Sequence, residues 1–188
     1  LDHHRYWALT SNIKHKRKFS DIFKVGVKGY LFSMLGEFAE RKLGEYTGSP
    51  PGSEMLTAIN IAKERKIKIS LIDQDISITL KKLSKNITFR EKGRFLIELI
   101  SAPFKKKKIA FDLNKVPSEK VIKILMNEVK KKYPNVYKVL IVERNEIMAN
   151  NLYKIMRNYE NSQILAVMGA GHEKEIISMI KDKWPAAK

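Results

Sequence analysis

The sequence predicts an α/β fold, a helix-rich domain with a small central sheet spanning residues 1–188. Three observations predict it. Two short apolar stretches have strand character, and each feeds directly into a helix. Helical periodicity covers most of the remainder. The composition, 44% apolar, is that of a chain with a packed core.

The elements follow in order. Residues 29–45 read as a helix with Leu31, Leu35 and Phe38 on one face. Tyr30, Phe32 and Met34 widen its apolar stripe until little polar surface remains, which predicts burial in the core or in an oligomer interface. Gly48-Ser49-Pro50-Pro51-Gly52 breaks the chain, after which Ser53 is expected to cap a helix running to about Arg65. Ile67-Lys68-Ile69-Ser70-Leu71 alternates strictly and predicts a strand ending at Ile72-Asp73. Asp75 can cap the next helix, which carries Ile76, Leu80 and Leu83. A further helix is expected over Thr88–Ser101, and Pro117 opens another with Ile122, Leu125, Met126, Val129 and Tyr133 on one face. A long helix from about Val136 to Tyr159 has an expected core stripe of Ile141, Met148, Leu152, Ile155 and Tyr159. Ser162–Met168 predicts a buried strand, and a last helix carries Ile176, Ile180 and Trp184.

The chain carries 37 Lys and Arg against 20 Asp and Glu, a formal net charge of +17. The cations are 29 Lys and 8 Arg, concentrated in Lys14–Lys18, Lys105–Lys108 and Lys130–Lys132. Counterion release would draw such runs to phosphates. Arg forks and exposed aromatics, the usual instruments of base reading, do not accompany them, so nucleic acid is the disfavoured partner and a lysine-rich solvated surface the plainer reading. The absence of Cys excludes disulfides, thiolate metal sites and cysteine nucleophiles. No G-x-S-x-G elbow is present, which leaves serine nucleophile chemistry without support.

Three constellations bear chemistry. Gly169-Ala170-Gly171-His172 joins a predicted strand to a helix: the glycines suit a sharp turn, and His172 sits where the helix dipole opposes protonation. A neutral imidazole there can ligate a metal or accept a proton, and a plain strand-to-helix turn with a surface histidine is the competing reading. The third position of a dinucleotide fingerprint is Lys174, which excludes that motif. Glu143-Arg144 lies among Val136, Val139, Leu140 and Ile147, where adjacent charges demand partners, either as a structural ion pair or as part of a site. Asp73-Gln74-Asp75 follows a strand end, where open α/β sheets place ligands, although Asp75 alone reads as a helix cap.

Taken in this order, the pieces resemble the TraB family of pheromone-shutdown proteins (TraB and PrgY), with GumN and the Tiki proteases as relatives. Leu1-Asp2-His3-His4-Arg5-Tyr6 looks like the tail of an E-L-D-x-x-R-Y element, and Pro51-Gly52-Ser53-Glu54-Met55 is similar to P-G-x-E-[FM]. Leu71-Ile72-Asp73-Gln74-Asp75-Ile76 resembles L-I-D-R-D-I with Gln74 in the usual Arg position, and Glu143-Arg144-Asn145 with Met148-Ala149 is similar to E-R-D-x-x-M-A. Gly169-Ala170-Gly171-His172 matches the second G-x-x-H motif.

The resemblance implies a single TraB-type domain related to the erythromycin-esterase/ChaN group, with its first strand-helix-strand, first G-x-x-H and E-L-D glutamate expected before Leu1. It implies a metal-dependent peptidase in the whole protein, inactive in this piece alone, with an unspecified divalent metal and a peptide or protein substrate. His172 would be a metal ligand or acid/base, Glu143 a site carboxylate, Arg144 and Asp73 its charged surroundings, and Asp75, Gly169 and Gly171 further contributors. A non-catalytic module that sequesters a pheromone-like peptide is the alternative, and a basic nucleic-acid or membrane-surface adaptor the third. Family members also carry hydrophobic segments beyond this domain, which implies membrane association of the whole protein.

Overall fold

The computed structural model describes residues 1–11, 52–101 and 119–183. The apolar helix expected at 29–45, the Lys14–Lys18 and Lys105–Lys108 runs, Pro117 and Trp184 lie outside the described residues. The interface that the 29–45 helix was expected to supply lies there too.

Helix α1, His3–Thr10, starts on Asp2, whose carboxylate accepts the Arg5 N–H at 3.0 Å. Helix α2, Ser53–Glu64, is not capped by Ser53, which is its first helical residue. Its cap is Gly52, at φ +81°, a backbone shape that L side chains avoid. A Cβ at Gly52 would lie 3.0 Å from Leu9 Cδ2, so the glycine also lets α1 approach. At the other end Lys66 takes φ +55°. The Lys66 N–H donates to the Lys63 carbonyl at 3.1 Å and the Ile67 N–H to the Ala62 carbonyl at 2.7 Å. These two bonds make a Schellman stop with lysine where glycine is usual.

The chain then runs extended over 67–72 to α3, Ile76–Asn86, and on to α4, Phe89–Ser101. Thr88 and Glu91 form a capping box at the start of α4: the Thr88 N–H donates to Glu91 Oε2 at 3.0 Å, and the Glu91 N–H to Thr88 Oγ1 at 3.3 Å. The same glutamate accepts the Asn135 N–H at 2.8 Å and so ties α4 to the turn after α5, Glu119–Lys132.

Pro134 does not end the helical path. It opens α6, Pro134–Tyr137, which passes through a π-helical stretch, Lys138–Val142, into α7, Glu143–Asn158. Bonds of the i→i+5 kind insert an extra residue and rotate the side chains that follow. Val139 lies fully buried with Leu83 and Ile87 of the α3 end, whereas Met148, Ala149 and Leu152 turn toward Ile176 of α8, Ala170–Lys183. The expected stripe therefore holds at Met148 and Leu152 and fails at Tyr159, which is 40% exposed.

The predicted central sheet does not form among the described residues. Among the described residues the fold is α-helical, and neither 67–72 nor 163–169 is a strand. The alternation is real but serves another purpose. Ile72, Ala166 and Met168 pack onto α7 and α8, while Ile67 and Leu165 face outward, Leu165 being 89% exposed. The Ile67 N–H is taken by the helix stop, and the Ile72 carbonyl accepts Asn151 Nδ2 at 3.0 Å. Extended backbone without a neighbour to complete its ladder is not a sheet.

The two left-handed positions give opposite expectations. Lys66→Gly relieves the strained stop and raises stability by about 1 kcal/mol, and Gly52→Ala lowers it by at least about 1 kcal/mol, read as urea midpoints with unchanged slope.

Candidate functional site

Four pieces of chain build the site: the end of the extended run at Asp73, the turn from the π-helical stretch into α7, Tyr137 before it, and the first turns of α8. Arg144 holds Asp73 with two parallel bonds, Nε to Oδ1 at 3.0 Å and Nη2 to Oδ2 at 2.7 Å. The Asp73 side chain is 5% exposed and that of Arg144 18%. Gln74 N–H donates to Asp73 Oδ1 at 2.8 Å, and Arg144 Nη1 to the Leu140 carbonyl at 3.3 Å. Burial raises the Asp73 carboxyl, but the Arg144 bonds and charge outweigh it and hold the group below its usual range.

His172 occupies the first turn of α8, its N–H donating to the Gly169 carbonyl at 2.9 Å. Its Nδ1 lies 2.6 Å from Asn145 Oδ1. Asn145 is 1% exposed and donates through Nδ2 to Glu175 Oε2 at 2.7 Å, and the Tyr137 hydroxyl donates to Glu175 Oε1 at 3.3 Å. Burial and the nearby Arg144 guanidinium push the His172 imidazole down from the usual 6.5 to about 4, Asp73 opposing in part. The ring is therefore neutral at pH 7. Beside this chain of bonds lies a cleft of about 410 Å³, lined by Tyr137, Lys138, Val142, Asn145, Glu175 and Met179 among others.

The other expected site residues fall elsewhere. Glu143 turns to α3, where Lys82 Nζ donates to its Oε2 at 2.6 Å and to Gln74 Oε1 at 3.3 Å. No described bond joins it to His172. Asp75 is a cap: its Oδ1 accepts the Ser77 N–H at 2.8 Å, and that bond with the Ser77 hydroxyl holds the carboxyl below its usual range. Neither Gly169 nor Gly171 has left-handed backbone, and a Cβ on either would meet only ordinary contacts, His172 Cδ2 at 3.7 Å and Met126 Cε at 3.5 Å. The turn thus uses glycine without demanding it.

A divalent metal would find one suitable donor here, the His172 imidazole. Among the described residues no three His, Cys, Asp or Glu side chains gather in a metal-binding group, so the donor set does not by itself fit a metal centre. The Asp73 and Glu175 carboxylates are engaged by Arg144 and by Asn145 with Tyr137.

A model of the TraB/PrgY/gumN family matches residues 28–182. The chain belongs to the TraB/PrgY/gumN family. It is 36% identical over 187 residues to the uncharacterized protein MJ1365 of the archaeon Methanocaldococcus jannaschii, a match covering 96% of this chain and 45% of that protein. The chain thus spans less than half the length of this curated relative. No solved structure matches. No helix among the described residues is long and apolar enough to cross a membrane.

Within this family member, sequence reasoning singled out Asp73, Arg144 and His172, which lie together here, quoted Asn145 only within a motif, and did not single out Glu175 or Tyr137. One signal was available for Glu175: it stands three residues after His172, so both occupy one face at the start of α8. Asn145 was hidden because its burial follows from the π-helical turn.

Removing either partner of the Asp73–Arg144 pair strands a buried charge, so Arg144→Met is expected to cost about 3–5 kcal/mol in urea unfolding. His172 should leave a separate mark. Its folded pKa is lowered, so between pH 6.5 and about 4 the unfolded chain binds a proton that the folded chain refuses. Stability therefore falls as pH drops through that window, by roughly 3 kcal/mol in all. Asp73 adds a further loss only below its ordinary value near 3.8, because its folded pKa is also lowered. His172→Phe should flatten the first window and leave the second.

Proposed function

We propose that this chain carries the histidine of a hydrolytic site for a peptide-like substrate, which in the whole protein works with a divalent metal. The observation that carries the reading is His172 itself. It is a partly buried imidazole held neutral, with Nδ1 engaged and Nε2 without a partner among the described residues. Such a nitrogen can take a proton from an attacking water or enter a metal's coordination sphere. Since one imidazole is not a metal centre, the remaining donors would come from outside the described residues, and MJ1365 extends well beyond the part that this chain matches. No step through the metal follows from the residues described. What they do is keep the imidazole unprotonated and oriented, and surround it with charges that are already neutralised.

A second reading is a non-catalytic module that binds a peptide without cleaving it. The engagement of Asp73 by Arg144, Glu143 by Lys82 and Glu175 by Asn145 favours it, because these three carboxylates are already held by other partners. In the one described lysine run, Lys132 pairs with Glu128 at 3.1 Å and Glu98 at 3.7 Å, and Lys130 lies over the Tyr137 ring.

The deciding assay uses the full-length protein: bound-metal analysis and peptide cleavage, wild type against His172→Ala. Loss of cleavage by 100-fold or more supports the hydrolytic reading. Peptide binding without cleavage supports the second reading. Equal cleavage in the variant, with no bound metal, overturns the assignment of His172.

A further inference from the structure

His172 can act through Nε2 only if the proton of its neutral ring sits on Nδ1, and the atoms around it decide where that proton goes. Glu175 is a carboxylate and accepts only, so the Asn145 atom 2.7 Å from its Oε2 must be the amide nitrogen. That orientation turns the Asn145 oxygen toward His172 Nδ1, at 2.6 Å. An amide oxygen also accepts only, so Nδ1 must carry the hydrogen and Nε2 the lone pair. The Tyr137 hydroxyl, on Glu175 Oε1 at 3.3 Å, helps hold the carboxylate in this pose. Asn145 has little freedom to turn otherwise, being 1% exposed between α7 and α8.

We propose that Asn145 and Glu175 are positioning residues: Glu175 fixes the Asn145 amide, and Asn145 fixes His172 as the Nδ1–H tautomer with Nε2 bare. The inference rests on the role given above to His172, but it concerns the ring itself and stands or falls without any turnover. Neither residue touches a substrate; both act through the histidine. Free imidazole favours the opposite tautomer, with the proton on Nε2, so the network works against the intrinsic preference. A hydrogen-bond relay from an outer carboxylate to a histidine is the usual way in which proteins orient such rings.

The test is a long-range proton–nitrogen correlation spectrum of the chain labelled with ¹⁵N-histidine at pH 7, with His172 assigned by its disappearance in His172→Gln. Wild type should show a protonated Nδ1 and a bare Nε2. Glu175→Gln keeps an acceptor for the Asn145 amide and should keep that pattern. Glu175→Leu removes the acceptor, frees the amide to turn over, and should shift most of the ring to the Nε2–H form. Unchanged signals from the other histidines, with an unchanged far-ultraviolet circular dichroism spectrum, show that Glu175→Leu stays folded. Should that variant unfold, Glu175→Ser, which is too short to reach the amide, takes its place with the same expectation. A wild-type ring protonated on Nε2, or a tautomer that ignores loss of the Glu175 acceptor, overturns the proposal. If the tautomer is as expected and His172→Ala still cleaves peptide, the hydrolytic reading fails and this one survives.

Discussion

The described structure depends most on the buried pairing of Arg144 with Asp73. With no strand beside it among the described residues, the run before Asp73 is fixed at its end by three bonds to α7: the two of the Arg144 fork on the Asp73 carboxylate, and the Asn151 amide on the Ile72 carbonyl. A buried ion pair is not in itself a source of stability, since desolvation offsets much of the attraction. Its contribution here is register. Only one arrangement of the extended run against α7 satisfies both charges, and that arrangement also brings Ile72 onto the Met148, Ala149 and Leu152 core.

The same pair sets the electrostatics around His172. Burial disfavours a charge on the histidine most, the guanidinium lies close enough to oppose a second positive charge, and the Asp73 carboxylate offsets this only in part. On the other side of α7, Asn145 and Glu175 fix the ring's direction. Neighbours in sequence thus do different jobs: Glu143 reaches α3, Arg144 the extended run, and Asn145 α8. A helix spreads three successive residues over three directions, and the π-helical stretch before Glu143 sets which direction each one takes.

The helices from α2 onward were legible because they carried a periodic apolar face, with Asp75 a correct start signal before α3, whereas α1, which buries no residue, was not foreseen. The sheet was misread for a physical reason. Around Ala166 the packed side chains, Ala166 and Met168, alternate with exposed neighbours, and a helix pair buries one side of a segment as well as a second strand does. The alternation of Ile67–Leu71 marks no buried side, Ile67 being 57% exposed. Only backbone pairing separates the cases, and pairing leaves no local trace in one sequence. The core stripe of α7 failed at Tyr159 because the helix ends at Asn158 and Tyr159 is its non-helical cap, at φ −135° and ψ 51°. At the site, Asp73, Arg144 and His172 stood out as charged or titratable residues in apolar company. Glu143 stood out for the same reason, yet its partner, Lys82, lies 61 residues away in sequence and was invisible. Asn145, uncharged, stood in the Glu143-Arg144-Asn145 motif without being singled out for the site.

All of this chemistry turns on a neutral His172 at physiological pH. The most direct measurement is an NMR pH titration of the His172 ring in the folded chain. The ring should stay unprotonated until the pH falls to about 4. A midpoint at the ordinary 6.5 would contradict the burial and the charge arrangement from which the site has been built.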